Sequence, residues 1–129
     1  MNEVILKLST HVSDGTASTL AEHAILGELC AVEYHPGTIA TGATLTITCQ
    51  GNNLTGTVAE KPILTKATAG TSISWYYPRD LVHAVADGAA LTGTDGGDRE
   101  KPVLNGVIKA TIASGGNSKL GYVIVYYED

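Results

Sequence analysis

The chain has 129 residues, a formal net charge of −5, 43% hydrophobic residues and 16% charged ones. Those totals describe one domain, residues 1–129, able to bury about two-thirds of its unfolded surface without help from a metal or a disulfide. Only 8 Lys and Arg residues are present and they are scattered, which excludes a concentrated basic face for nucleic acid; no apolar run nears the roughly 20 residues of a membrane-spanning helix.

The opening MNEVILKLST has neither a basic leader nor a cleavable apolar core, so synthesis and folding in the cytoplasm are expected. Within it, Val4, Leu6 and Leu8 alternate with Ile5 and Lys7, the period-2 pattern of a strand with one buried side. The following THVSDGTASTLAEH shows turn residues and no strong period, and reads as an arm or long ordered loop over 10–24. AILGELCAVEYH predicts one or two strands, stopped at Pro36-Gly37. ATLTITC sets Leu45, Ile47 and Cys49 against Thr44, Thr46 and Thr48, and its antiparallel partner is expected after a short polar loop, within 43–68.

TSISWYYP predicts a further strand ended by Pro78, and RDLVHAVAD is placed with the strands by its β context. DGAALTGTDGGDREKP carries tight turns at Asp87-Gly88 and Gly96-Gly97. NGVIKATIA and YVIVYYE, joined by SGGNSKLG, predict a closing β-hairpin. The total is about eight antiparallel strands without a helix: an all-β chain, a β-sandwich or jelly-roll-like fold.

The loop SGGNSKLG invites a phosphate-binding reading, but a phosphate loop must open a helix, and the β-branched and aromatic run after Lys119 predicts a strand. His11, His23, His35 and His83 are far apart, and neither Cys30 nor Cys49 has a second ligand at zinc-site spacing. Both cysteines are expected as buried free thiols. Asp95, Asp98 and Glu100 lack the EF-hand order and read as a solvated acidic turn. The sequon at Asn53–Thr55 reads as a polar loop. No catalytic constellation, cofactor motif or metal motif emerges, so a non-enzymatic protein without cofactors is expected.

SWYYPRD concentrates Trp75, Tyr76, Tyr77 and Arg79. The plainer expectation puts Trp75 and Tyr77 in the core with Tyr76 outward; the sharper one makes the cluster an interface. The last strand carries Tyr122, Ile124 and Tyr126 on one face and Val123, Val125 and Tyr127 on the other. Both faces are apolar, as in a central strand or one covered by another subunit. Tyr122, Ile124, Tyr126, Trp75, Tyr76 and Arg79 are therefore the candidate interface residues.

From ISWYYPRDLVHAVADGAALTGTDGG to NGVIKATIASGGNSKLGYVIVYYE, about residues 72–128, the chain resembles small virion structural proteins of tailed bacteriophages, of the head decoration (cement) type. The resemblance lies in the Pro78-Arg79 strand end, the DGAAL turn, the acidic glycine loop, the G-x-I-K run and the GGNSKxG loop. It implies a β-sandwich on the outer capsid surface, forming a trimer or other closed homo-oligomer and binding the major capsid protein. It brings no catalytic residues. Head-tail joining and tail locations are the other virion readings. A carbohydrate-binding or host-recognition module, using Trp75, Tyr76, Asp95 and Asp98, is the alternative outside that class.

Overall fold

A computed structural model of the chain describes residues 1–11, 14–51, 60–81 and 99–129. Its strands in chain order are β1 (Asn2–Ser9), β2 (Ala17–Leu20), β3 (Ile25–His35), β4 (Thr44–Gln50), β5 (Glu60–Lys66), β6 (Ser74–Tyr76), β7 (Asp80–Leu81), β8 (Arg99–Glu100), β9 (Val103–Ala113) and β10 (Leu120–Glu128). The described residues contain no helix. The protein is all-β, as its alternating segments require. His83, the turns at Asp87-Gly88 and Gly96-Gly97, the pair Asp95 and Asp98, and the sequon at Asn53–Thr55 lie outside the described residues.

Eight strands form one antiparallel sheet, with β7 and β8 paired separately. The long strands β3 and β9 divide that sheet into two halves. Their N-terminal ends pair with each other, Ile25 to Glu28 against Gly106 to Val103. Beyond that, β3 continues between β10 and β6, while β9 continues between β2 and β4. One half is therefore β1-β10-β3-β6 and the other β2-β9-β4-β5. Between them lies the core: Leu6, Leu8, Val123, Val125, Val32 and Tyr34 from the first half, and Leu45, Ile47, Ile108 and Ile112 from the second, all at most 1% exposed. Burying each such side chain stabilises the fold by about 1.5–3 kcal/mol before entropy is counted. The arrangement is sandwich-like.

Three expectations change. The segment 10–24 contains a strand, β2, paired with β9 from Ala17↔Ile112 to Leu20↔Lys109; four residues were too few to show a period. The second change concerns the closing hairpin. β9 and β10 do not pair with each other but belong to opposite halves, because Ile108, Ala110 and Ile112 face Val123 and Val125 through the core.

The loop between them crosses from one half to the other and is held by foreign segments. The amide of Ala40 donates to Gly115 O (2.9 Å), and that of Gly115 donates to Gly15 O (2.8 Å). Buried Thr10 donates its hydroxyl to Gly116 O (2.7 Å) and accepts the Lys119 amide (2.7 Å). Positive φ angles at Ser114 (57°), Gly116 (91°) and Ser118 (52°) shape the crossing. The third change lies in β6, where Trp75 faces outward and Tyr76 packs against the core.

At the division point β9 changes neighbour from β3 to β4, and Gly106 sits there with φ 143°. A Cβ on it would stand 1.8 Å from Gln50 O, a backbone atom that cannot swing aside. Gly106→Ala is expected to cost about 2–4 kcal/mol and to lower the thermal midpoint by roughly 10 °C. Gly42→Ala, with no atom within 4 Å of the new Cβ, is expected to leave the midpoint unchanged or slightly raised. Equal midpoints for the two variants in differential scanning calorimetry would remove Gly106 from its role at the division.

Candidate functional site: an aromatic sheet face

The two outer faces of the sandwich differ in chemistry. On the β2-β9-β4-β5 half, cross-strand rows run Ser18–Thr111–Thr46 and Leu20–Lys109–Thr48. Lys109 pairs with Glu60 at 3.3 Å, and Gln50 donates to the same carboxylate at 2.8 Å. That is the solvated face expected of an antiparallel sheet.

On the β1-β10-β3-β6 half the rows are Ile5–Ile124–Glu33–Trp75, Lys7–Tyr122–His35 and Glu3–Tyr126–Ala31. Large apolar and aromatic side chains dominate them. Trp75 stacks on Tyr126 (centroids 5.4 Å, planes 15° apart) and on Tyr77 (6.5 Å, 14°), giving three nearly parallel rings. His35 stacks on Tyr122 at 4.3 Å. Trp75 is 48% exposed and Tyr77 62%, so the array meets solvent although its rings support one another.

Of the two acids on this face, Glu3 is exposed and Glu33 is enclosed. Glu33, at 9% exposure, sits between Ile124 and Trp75 and contacts His35 Nε2 through its carboxylate. A carboxylate so enclosed needs a partner to offset its lost hydration, and the imidazole supplies one. Burial pushes the Tyr126 phenol above its ordinary pKa, with the charges of Glu33 and Glu3 adding to the effect. The phenol therefore stays protonated and can donate a hydrogen bond to whatever covers it.

The structure thus brings Tyr122, Ile124, Tyr126 and Trp75 onto one surface. It separates the other two candidates from them. Tyr76 packs against the core, while Trp75 and Tyr77 face outward, the reverse of the plainer sequence expectation. The alternation was visible in SWYYP, but three aromatic residues in a row carry no polar residue to mark the wet side.

Arg79 has a structural engagement. The register of β10 on β3 shifts between Tyr126 and Tyr127, opposite Ala31 and Leu29, so Cys30 is the bulged residue. Both terminal nitrogens of the Arg79 guanidinium donate to Cys30 O at 3.2 Å, satisfying a carbonyl at the kink. Sequence reasoning missed Ile5, His35 and Glu33 as members of the face, and had Tyr77 there only in the interface reading of its cluster. Ile5 was legible as the outward residue of β1, but its neighbours belong to strands whose order no local pattern encodes.

Among the described residues no group of three or more His, Cys, Asp or Glu could hold a metal ion. Cys30 and Cys49 are free and buried, as expected from the sequence. Burial pushes the Cys49 thiol up from its ordinary pKa, and thiolate is the reactive form. Neither thiol is expected to react with an aromatic disulfide reagent at pH 8 until denaturant is added, when both should titrate. A fast-reacting thiol in the native protein would contradict the placement of β3 and β4 in the core.

No family model, curated protein or solved structure matches this chain, so the chemistry of the face carries the functional conclusion.

Proposed function

We propose that the protein is a non-enzymatic structural component of a tailed-phage virion. Its most specific role in this reading is head decoration: it oligomerises on the capsid surface and stabilises the shell by binding major capsid subunits. The observation that supports this reading best is the solvent-facing aromatic array of the β1-β10-β3-β6 half, set against the hydroxyl-rich face behind it. An exposed apolar patch of this kind marks a surface meant to be covered. The resemblance of residues 72–128 to decoration proteins points to what covers it.

The energetics favour attachment through several copies. Covering the exposed parts of Ile5, Trp75, Tyr77 and Tyr122 removes roughly 400 Å² from water, given aromatic side chains of about 150–250 Å² each. At about 25 cal/mol per Å² this amounts to about 10 kcal/mol gross, comparable with the cost of association. A standard interface buries about 800 Å² per partner. A single face is too small for tight binding, and a closed homo-oligomer presenting several faces reaches the required area.

A second reading has its own support. Trp75, 48% exposed and with the Tyr126 and Tyr77 rings each within 15° of its plane, offers aromatic surface on which a sugar face can stack, as in carbohydrate-binding modules. Glycan binding and capsid binding are separable in the same preparation.

Purified protein is expected to co-sediment with empty heads assembled from the major capsid protein encoded alongside it, and to raise their heat resistance. Trp75→Ala is expected to weaken that binding at least about tenfold without unfolding the protein, while a glycan array stays silent. Heads that neither bind the protein nor gain resistance would refute the decoration role. A glycan signal abolished by Trp75→Ala would establish the second reading instead.

A further inference from the structure

β1 is an edge strand. Among the described residues it pairs with β10 alone, and the direction of its free backbone groups follows from the ladder. The Thr10 amide donates to Lys119 O at 2.9 Å, so Thr10 bonds toward β10. Hydrogen-bonded pairs alternate along an antiparallel ladder; Leu8, Leu6 and Val4 therefore also bond toward β10. Ser9, Lys7, Ile5 and Glu3 turn their N–H and C=O groups the other way. The Thr19 hydroxyl confirms this, since it reaches Lys7 O from that side. A groove of about 670 Å³ runs along the same edge, between β1 and the residues Thr19, Leu20 and His23.

The side chains on these outward-bonding positions are Glu3, Ile5 and Lys7, all exposed on the aromatic face. Their order is acid, apolar, base, with the apolar residue in the middle. Turned by a two-fold axis through Ile5, the strand is its own complement. Ile5 meets Ile5 of the second copy, Glu3 meets Lys7, and Lys7 meets Glu3. Each opposed pair falls where backbone groups point at each other, and the Lys7 carbonyl has a second lone pair for the new bond beside the Thr19 hydroxyl. Shifting the axis to Glu3 or to Lys7 sets like charges face to face, which destabilises a cross-strand pair.

We propose that two copies of this chain join through antiparallel β1–β1 pairing about a two-fold axis at Ile5. The occupant of the open edge is thus a second copy, chosen by a row of backbone groups that an extended strand pairs in register and by charges that complement only in this register. The union runs the outer sheet through the dimer as β6-β3-β10-β1-β1-β10-β3-β6 and merges the two aromatic faces into one. This deepens the proposed function by giving its closed oligomer a geometry. It rests on the homo-oligomer part of that reading and not on the capsid part.

The test measures mass in solution, with no capsid present. Sedimentation equilibrium on the wild-type chain is expected to give twice the 13.3 kDa of the monomer. Glu3→Lys and Lys7→Glu each place like charges at both ends of the pairing and are expected to weaken association by about tenfold or more. The double variant E3K/K7E exchanges the charges and is expected to restore it. A merely structural role for either side chain does not produce that rescue, and circular dichroism confirms that each variant is folded.

Ile5→Cys places two thiols facing each other across the axis, within reach of a short bis-maleimide. Treatment with that reagent is expected to give a covalent dimer, with Cys30 and Cys49 left buried. A monomer at all accessible concentrations, a trimer, or a dimer indifferent to the single charge reversals and not cross-linked at position 5 would overturn the pairing. A β1-paired dimer that ignores capsids would leave this inference standing and remove the decoration role.

Discussion

Four residue pairs decide the shape of this protein. Where Ile25–Glu28 of β3 lie against Val103–Gly106 of β9, two eleven-residue strands hold one ladder and then part. Each carries its own half of the sheet away with it. A strand able to serve both halves must bend without losing its backbone bonds. Both long strands meet that demand with a local device. β3 uses the bulge at Cys30, whose carbonyl the Arg79 guanidinium satisfies. β9 uses Gly106, whose conformation and closeness to Gln50 leave no space for a side chain.

The division also creates the functional asymmetry. Once the sheet is split, each half turns one side to the common core and one to solvent. Threonine, serine and lysine cover the outer side of the β4-containing half, and β10 with its neighbours covers the other with rings. Tyr122, Ile124 and Tyr126 sit on a strand flanked on both sides, by β1 and β3, so their backbone is fully paired and their side chains are rigidly presented. Preorganised aromatic surface of that sort loses little entropy when it is covered. The enclosed Glu33–His35 contact stiffens it further, because a displaced carboxylate would lose its imidazole partner.

Much of this was legible in the sequence. The alternation in EVILKLS and ATLTITC gave the inward residues Val4, Leu6, Leu8, Leu45, Ile47 and Cys49 directly, since polar residues marked the opposite face. YVIVYYE likewise showed two usable faces. The failures have physical causes. A short loop between two alternating strands has the same composition whether those strands pair side by side or face each other through a core. Contacts from Thr10, Gly15 and Ala40, remote in sequence, settle the question. In SWYYP the period was correct and its phase undetermined, because every member is aromatic. β2 fell below the length at which a period can be recognised.

The outer face of the β1-β10-β3-β6 half is proposed to be covered by a partner. Trp75 is the only tryptophan in the chain and lies on that face, so its fluorescence reports on that covering without a label. Acrylamide quenching should be measured on the protein alone and after saturation with capsids. Efficient quenching and long-wavelength emission are expected for the free protein, followed by a blue shift and marked protection in the complex. Emission characteristic of a buried indole in the free protein, or quenching unchanged when the protein is bound, would contradict it.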